Sequence, residues 1–203
     1  MPIYKIALFL TLLLQSFTMD CLSQQRKDIV YLPYPTSKRI TLIGELQSLR
    51  STHATFFNGG SIHVCRLFSH RVLLGAGLEL AACDYHEDNR AELRHLRFLP
   101  LIIDGKFLFR QAGIFTPFVQ LSEGISFIRY NKKDENTGKK PYNVSEKGNY
   151  AYLGIGTVIK IADHFSQIAG VGLKGYHMST NVLDVNPHGI NFRLGYIFRP
   201  GVI

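Results

Sequence analysis

Alternation of apolar and polar residues with a period of two is the feature of this sequence that most restricts its fold. Near the C-terminus an apolar series alternates with a polar or small one, namely Ile190, Phe192, Leu194, Tyr196 and Phe198 against Asn191, Arg193 and Gly195. Successive side chains of a β-strand point to opposite faces, so this pattern predicts a strand with one apolar face. The same pattern recurs at 74–80, 151–160 and 169–174. The chain is therefore predicted to be all-β.

The alternating segments number eight, and the connections between them differ in length. We predict strands at 39–49, 59–68, 71–83, 94–109, 114–130, 149–161, 165–179 and 188–199. Short turns near 69–70, 111–113 and 162–164 alternate with longer polar links at 50–58, 84–93, 131–148 and 180–187. Short turns at one end and long loops at the other are typical of a closed sheet that spans a bilayer. We predict an eight-stranded antiparallel transmembrane β-barrel of up-and-down topology.

A soluble eight-stranded barrel of the lipocalin type is the alternative, and the polar face of the strands argues against it. That face is mostly Gly, Ser and Gln with a few mixed charges, which are Glu45, Glu79, Asp104, Lys106, Lys160, Lys174 and Arg193. Such a set suits a narrow lumen closed by ion pairs, since eight strands leave just enough room for side chains. Glu123 and Arg66 depart from this pattern, because both fall on the predicted lipid face.

The N-terminus has the composition of a secretory signal peptide. Lys5 precedes an apolar run at 6–14, and small and polar residues follow around Ser23. This run is shorter than the roughly 20 residues that a spanning helix needs, and no later segment reaches that length. We predict a signal peptide at 1–23, a periplasmic segment at 24–38 and a barrel at 39–203, and therefore localisation to the bacterial outer membrane.

Export and charge together restrict the partners. The formal net charge is +8, but an exported chain does not meet nucleic acid, so anionic lipid or polysaccharide is the expected partner. Cys65 and Cys83 do not face each other in the predicted pairing, so two free thiols are expected. The eight histidines show no paired ligand spacing, and no metal or other cofactor is expected.

Strand seven carries two polar residues on its predicted lipid-facing side. His177 and Ser179 follow Ala169, Val171 and Leu173 on that side. Polar side chains that face lipid are costly unless they have a partner or a function. Residues two apart on a strand share a face, so the hydroxyl can give its proton to the imidazole. The substrate would then be the acylated glucosamine of lipid A beside the outer rim.

The C-terminal segment resembles the signature of the lipid A deacylases, the acyloxyacyl hydrolase family. The resemblance rests on the runs Tyr176-His177-Met178-Ser179-Thr180-Asn181, Asn186-Pro187-His188-Gly189-Ile190-Asn191 and Arg193-Leu194-Gly195-Tyr196-Ile197-Phe198. The resemblance implies an eight-stranded outer-membrane barrel that hydrolyses an ester of lipid A. It also implies site roles: base His177, nucleophile Ser179, oxyanion donors Asn186 and Asn181, and orienting residue Asn191.

The orienting position leaves alternatives open. The alternation of strand eight turns Asn191 into the barrel, away from His177, unless a β-bulge changes the phase. Asp184, in the preceding loop, is the alternative acid. The basic third loop, with Lys132, Lys133, Lys139 and Lys140, is a further candidate for contact with lipid A phosphates. Two hypotheses follow: a lipid A ester hydrolase, or a non-catalytic barrel with a structural or binding role.

Overall fold

The computed structural model describes residues 40–52, 55–88, 91–134, 141–178 and 187–200, which form eight strands. Their bounds are β1 Ile40–Ser51, β2 Phe56–Ser69, β3 Val72–Asp88, β4 Ala91–Leu108, β5 Phe115–Asp134, β6 Tyr142–Lys160, β7 Phe165–Met178 and β8 His188–Phe198. Each strand pairs antiparallel with the next, and β1 pairs with β8, which closes the barrel. The predicted fold class is confirmed. Within the described ranges no helix is long and apolar enough to cross a membrane. The predicted signal peptide and the segment at 24–38 lie outside those ranges.

Three of the predicted long links, at 50–58, 84–93 and 131–148, are shorter than expected, because strand pairing continues where the apolar pattern stops. β3 runs to Asp88 and β4 begins at Ala91, with Asp88 and Ala91 paired. β5 runs to Asp134, and its pairing with β6 reaches Tyr142. These three predicted loops were therefore wrong in their extent. Ladder hydrogen bonds need no apolar side chain, so a strand outside the bilayer gives no alternation signal.

The outside of the barrel carries an apolar belt. Large apolar side chains point outward with high exposure, for example Leu46 at 73%, Ile62 at 67% and Ile103 at 73%. A surface of this kind is stable against lipid and not against water. Glu123 and Arg66 are also exposed on this face, as their positions in the alternation predicted.

The two ends of the barrel differ. Short connections join β2 to β3, β4 to β5 and β6 to β7 at one end, and the paired strands extend past the belt at the other. Outer-membrane barrels keep their short turns in the periplasm, so we call these the periplasmic end and the outer end. Lys160, the last residue of β6, lies on the predicted inward face, opposite the buried Ser166, but its side chain is exposed at the periplasmic end of the lumen. Its Nζ is 2.9 Å from Asp163 Oδ1, and this hydrogen bond lowers the pKa of the Asp163 carboxyl.

The lumen is filled with side chains in three layers. An apolar layer closes the periplasmic end and contains Ile43, Cys65, Leu73, Phe118, Val158, Ile168 and Ile197. A larger apolar and aromatic layer fills the outer half and includes Leu49, Phe57, Leu96, Phe98, Tyr150, Tyr152 and Tyr176. Between them lies a polar layer with three carboxylates, three cationic side chains and one imidazole, which are Glu45, Glu79, Asp104, Lys106, Lys174, Arg193 and His63. His63 Nε2 lies 3.5 Å from Glu45 Oε2. Cys65 and Cys83 are free thiols, as predicted.

Glu79 lies at the centre of the polar layer. Its carboxylate forms an ion pair with Lys174 and accepts hydrogen bonds from Tyr176 Oη at 2.7 Å and from Tyr150 Oη at 3.1 Å. Lys174 Nζ also donates to Gln47 Oε1 at 2.8 Å. All of these groups are buried, so their partners replace the water that they lose on folding.

Candidate functional site at the outer rim

His177 is the residue before the last of β7, and it lies on the outside of the barrel. It follows the outward-facing Val171 and Leu173 in the same alternation and is exposed. β7 pairs with β6 in an uninterrupted register that sets His177 opposite Asn149. An imidazole at the outer end of an apolar strand face therefore meets both the lipid surface and water. Ser179, the predicted nucleophile, lies outside the described residues.

Asn191 does not share a face with His177. It is fully buried in the lumen, where its Oδ1 accepts a hydrogen bond of 2.9 Å from Arg193 Nε. The β7–β8 register runs without a shift from the Phe165–Phe198 pair to the Gly175–His188 pair, so no bulge changes its phase. The orienting role implied by the family resemblance is therefore wrong for Asn191, because the wall of the barrel separates its side chain from the imidazole.

Strand pairing brings other polar residues close to His177. Asn149 is its direct partner and is exposed on the same outer face. His188 pairs with Gly175, two residues before His177, and is also exposed. Side chains of directly paired residues lie about 5 Å apart, and diagonal neighbours about 7 Å apart. The sequence analysis missed Asn149, although the predicted hairpin of strands six and seven would have identified it once its register was known.

The remaining predicted site residues divide into two groups. Asn181, Asp184, Asn186, Lys139 and Lys140 lie outside the described residues, and the side chain of Lys133 is not described. Lys132 is described, half-buried and paired with Leu93. Because Leu93 is buried inside the barrel, Lys132 lies on the inner face of β5, and its contact with lipid phosphates stays a prediction. Among the described residues no group of three or more His, Cys, Asp or Glu side chains could hold a metal ion.

Comparison with known proteins gives a result for the fold alone. A scan with protein-family models and a search of curated proteins each find no match, so neither links the chain to the deacylase family. Solved structures are similar. A major outer membrane protein from Thermus thermophilus aligns with a TM-score of 0.57 and 11% identity, over 80% of this chain and 98% of that one. Neisserial surface protein A aligns with a TM-score of 0.50 and 7% identity, over 80% and 96%.

The N-terminal β-barrel domain of Pseudomonas aeruginosa OprF also aligns, with a TM-score of 0.48 and 16% identity over 78% of this chain and 97% of that one. Identities this low show a common architecture and leave activity open. The closed ladder, the apolar exterior and the first two alignments lead to the same conclusion: this chain has the fold of the outer-membrane β-barrels.

Proposed function

We propose that this chain is a non-catalytic outer-membrane barrel that acts as a binding protein at its outer rim. The observation that carries the proposal is the separation of Asn191 from His177 by the barrel wall. The family motif needs a partner for the imidazole on its own face, and the residue in that position is instead bound to Arg193 inside the lumen.

The filled lumen supports the same proposal. Two apolar layers enclose the polar layer, and the carboxylates and bases of the polar layer are engaged with one another. Opening a path for a solute would break buried ion pairs at a cost of several kcal/mol for each one. The surfaces left for function are the lipid-facing wall and the outer rim. The outer rim has small and polar residues with basic neighbours, and the positive charge of these neighbours attracts anionic partners.

A lipid A deacylase is the second candidate, and the position of His177 favours it. In that reaction Ser179 Oγ attacks the acyl carbonyl, His177 accepts the hydroxyl proton, and Asn186 and Asn181 stabilise the oxyanion. The imidazolium then protonates the leaving alkoxide, and water releases the fatty acid from the serine. Asn149, opposite His177, is the described residue that could orient the imidazole in place of Asn191.

One experiment separates the two candidates. Lipid A is extracted from cells that express the wild type, Ser179→Ala or His177→Ala at equal outer-membrane levels, and from cells without the protein, and is compared by mass spectrometry. A binding protein gives four identical spectra. Loss of one acyl mass with the wild type alone would establish the deacylase and overturn the proposal. Folding of each variant is checked by its heat-modifiable migration on gels, so an unfolded variant is not counted as an inactive one.

The binding role has its own test at the basic loop. Charge reversal by Lys139→Glu and Lys140→Glu should weaken the retention of lipopolysaccharide by the purified protein, because both the attraction and its steering depend on charge. Retention equal to that of the wild type at low salt would contradict a contribution from this loop.

A further inference from the structure

The outer ends of β4 and β5 bring two arginines together on the outside of the barrel. Arg97 and Arg129 are direct partners in the antiparallel ladder, and both are exposed. Directly opposed like charges destabilise a pair of strands. Among the described residues neither guanidinium has a hydrogen-bond or ion-pair partner. Two facing guanidinium groups without an anion are a cost in the isolated barrel, and a bound anion would remove it.

A β-bulge lies in β4 directly beyond the arginine pair. Arg94 pairs with Asn131 and Arg97 pairs with Arg129, so His95 and Leu96 stand opposite the single residue Tyr130. His95 has a φ of 54°, a left-handed conformation that is uncommon for residues other than glycine. Backbone strain and bulges of this kind concentrate where a side chain has to be redirected.

The bulge changes which side chains face outward. With continuous alternation Arg94 would point into the lumen and Leu93 toward the outside. In the structure Leu93 and Leu96 are both buried, whereas Arg94 and Arg97 are both exposed. The bulge therefore keeps the leucines in the apolar layer of the lumen and adds a basic side chain to the outer surface.

The neighbours of the arginine pair add charge and hydrogen-bond donors. On β6, Ser145 lies directly opposite Arg129, and Lys147 lies diagonally to it on the same exposed face. On the other side lies an exposed acid, Asp84, whose Oδ1 is 3.8 Å from His95 Nδ1. We call the surface made by Arg97, Arg129, Ser145 and Lys147 the rim site. Its three cationic side chains make it basic, although Asp84 lies beside it.

The apolar belt begins directly below the rim site. Leu99 pairs with Phe127, one step closer to the membrane than the arginine pair, and both side chains point outward with 37% and 43% exposure. A ligand that fits both surfaces has phosphate groups at the level of the arginines and acyl chains along the belt. Guanidinium groups bind phosphate through paired hydrogen bonds, which suits this level of the wall.

We propose that the rim site binds the phosphate groups of lipid A in the outer leaflet. This inference rests on the proposed binding role and names its ligand. The bound lipid would lie against the outside of β4, β5 and β6, with its acyl chains on Leu99 and Phe127. The site lies on β4 to β6 and does not include His177 on β7, so it is independent of the deacylase motif.

The test uses the protein in neutral detergent micelles with two probes, bis-phosphorylated lipid A and the same lipid without phosphates. Arg97→Gln and Arg129→Gln are compared with the wild type and with Arg66→Gln. Arg66 is a matched control, because it is also an exposed outward arginine of the barrel wall but pairs with Ile40 and Leu74 near the periplasmic end. We expect each rim variant to weaken binding of the phosphorylated probe about tenfold, the loss expected for one charge-assisted hydrogen bond.

The dephosphorylated lipid should bind weakly to all four proteins, and Arg66→Gln should behave as the wild type. Equal affinity of the wild type and the double variant Arg97→Gln/Arg129→Gln for phosphorylated lipid A would overturn the inference. Equal affinity of the wild type for the two probes would overturn it as well. Neither result would contradict the proposed binding role. That role is contradicted if lipid A mass spectra show loss of an acyl chain, or if the purified protein does not retain lipopolysaccharide at all.

Urea unfolding with and without lipid A is a second measurement, and it distinguishes an arginine that binds lipid from one that only stabilises the fold. Without lipid A, Arg97→Gln should unfold at the same or a higher urea concentration than the wild type, because it removes a like-charge contact. With phosphorylated lipid A the order should reverse, since ligand binding stabilises only the protein that binds it. A variant that is less stable than the wild type without lipid A would show that the arginines hold the fold together, and would overturn the inference.

Discussion

Neutralising Glu79 should destabilise the barrel more than its small change in shape suggests. In Glu79→Gln the amide can still accept a hydrogen bond from Tyr176, but the ion pair with Lys174 is lost. The polar layer then holds three cationic side chains and two carboxylates beside the imidazole of His63, all of them buried. Removing one member of a buried ion pair costs about 3–5 kcal/mol, because the other charge stays in a medium that cannot solvate it.

The double variant Glu79→Gln/Lys174→Met separates charge balance from packing. It restores equal numbers of buried carboxylates and of buried lysine and arginine side chains, and Arg193 keeps Glu45 as a partner at 3.4 Å. We expect it to lose less stability than Glu79→Gln alone, with a coupling energy of about 2 kcal/mol or more between the two positions. As a surface control, Asp163→Asn breaks the exposed pair with Lys160 and should leave the unfolding curve unchanged.

The assay is a urea titration followed by heat-modifiable gel migration and far-UV circular dichroism. The chain contains no tryptophan, so the usual fluorescence readout of barrel insertion is absent in the wild type. Additive losses in the cycle, or a loss below about 1 kcal/mol in Glu79→Gln, would refute the reasoning. Either result would mean that water solvates the ammonium group of Lys174 or that Lys174 loses its proton in the variant.

Three further predictions follow from the wall and the lumen. Gly172→Ala should prevent folding, because the added Cβ would lie 2.3 Å from the Leu153 carbonyl oxygen, whereas Gly44→Ala, with no atom within 4 Å of its Cβ, should fold normally on heat-modifiable gels. Glu123→Leu should raise the free energy of unfolding by about 1–2 kcal/mol in lipid vesicles, since a carboxylate facing lipid is unfavourable. The wild type should show no single-channel conductance in planar bilayers, because ion pairs and aromatic side chains fill its lumen; regular current steps would contradict this.

The sequence alone was sufficient for the architecture, for a physical reason. Residues that face the bilayer have to be apolar, and residues that face the narrow lumen are mostly small or polar. These two kinds of residue therefore alternate along each strand. The same alternation assigned Glu45, Glu79 and Arg193 to the lumen, where the structure has them. It also assigned Asn191 to the lumen, and the structure confirms this against the role that the motif implied.

The alternation of apolar and polar residues no longer predicts strands where the barrel extends beyond the bilayer. Beyond the belt both faces of a strand meet water or an extended inner layer, so the sequence pattern predicts loops where β3 to β6 continue as strands. Lys132 is an example, since the basic run that contains it predicts a loop, whereas Lys132 lies in β5 on the inner face opposite Leu93. Partners across strands depend on register, which a single strand does not reveal. For this reason Asn149 was not recognised as the neighbour of His177.

The bulge in β4 is the feature that most changes the functional interpretation of the outer rim. Counting upward from Leu99 by twos, a continuous strand turns Leu93 outward and Arg94 inward, which would bury a charge and expose an apolar side chain. The spacing of three between Leu93 and Leu96 is the local sign that the phase must change there. In the described barrel the other register shift lies beside the turn after Leu67. The burial of Leu93 and Leu96 explains the bulge itself, whereas the direct pairing of Arg97 with Arg129 beside it is a cost that folding leaves unexplained. Binding of an anion at the rim supplies a reason for it, and that reason can be tested without reference to the catalytic motif.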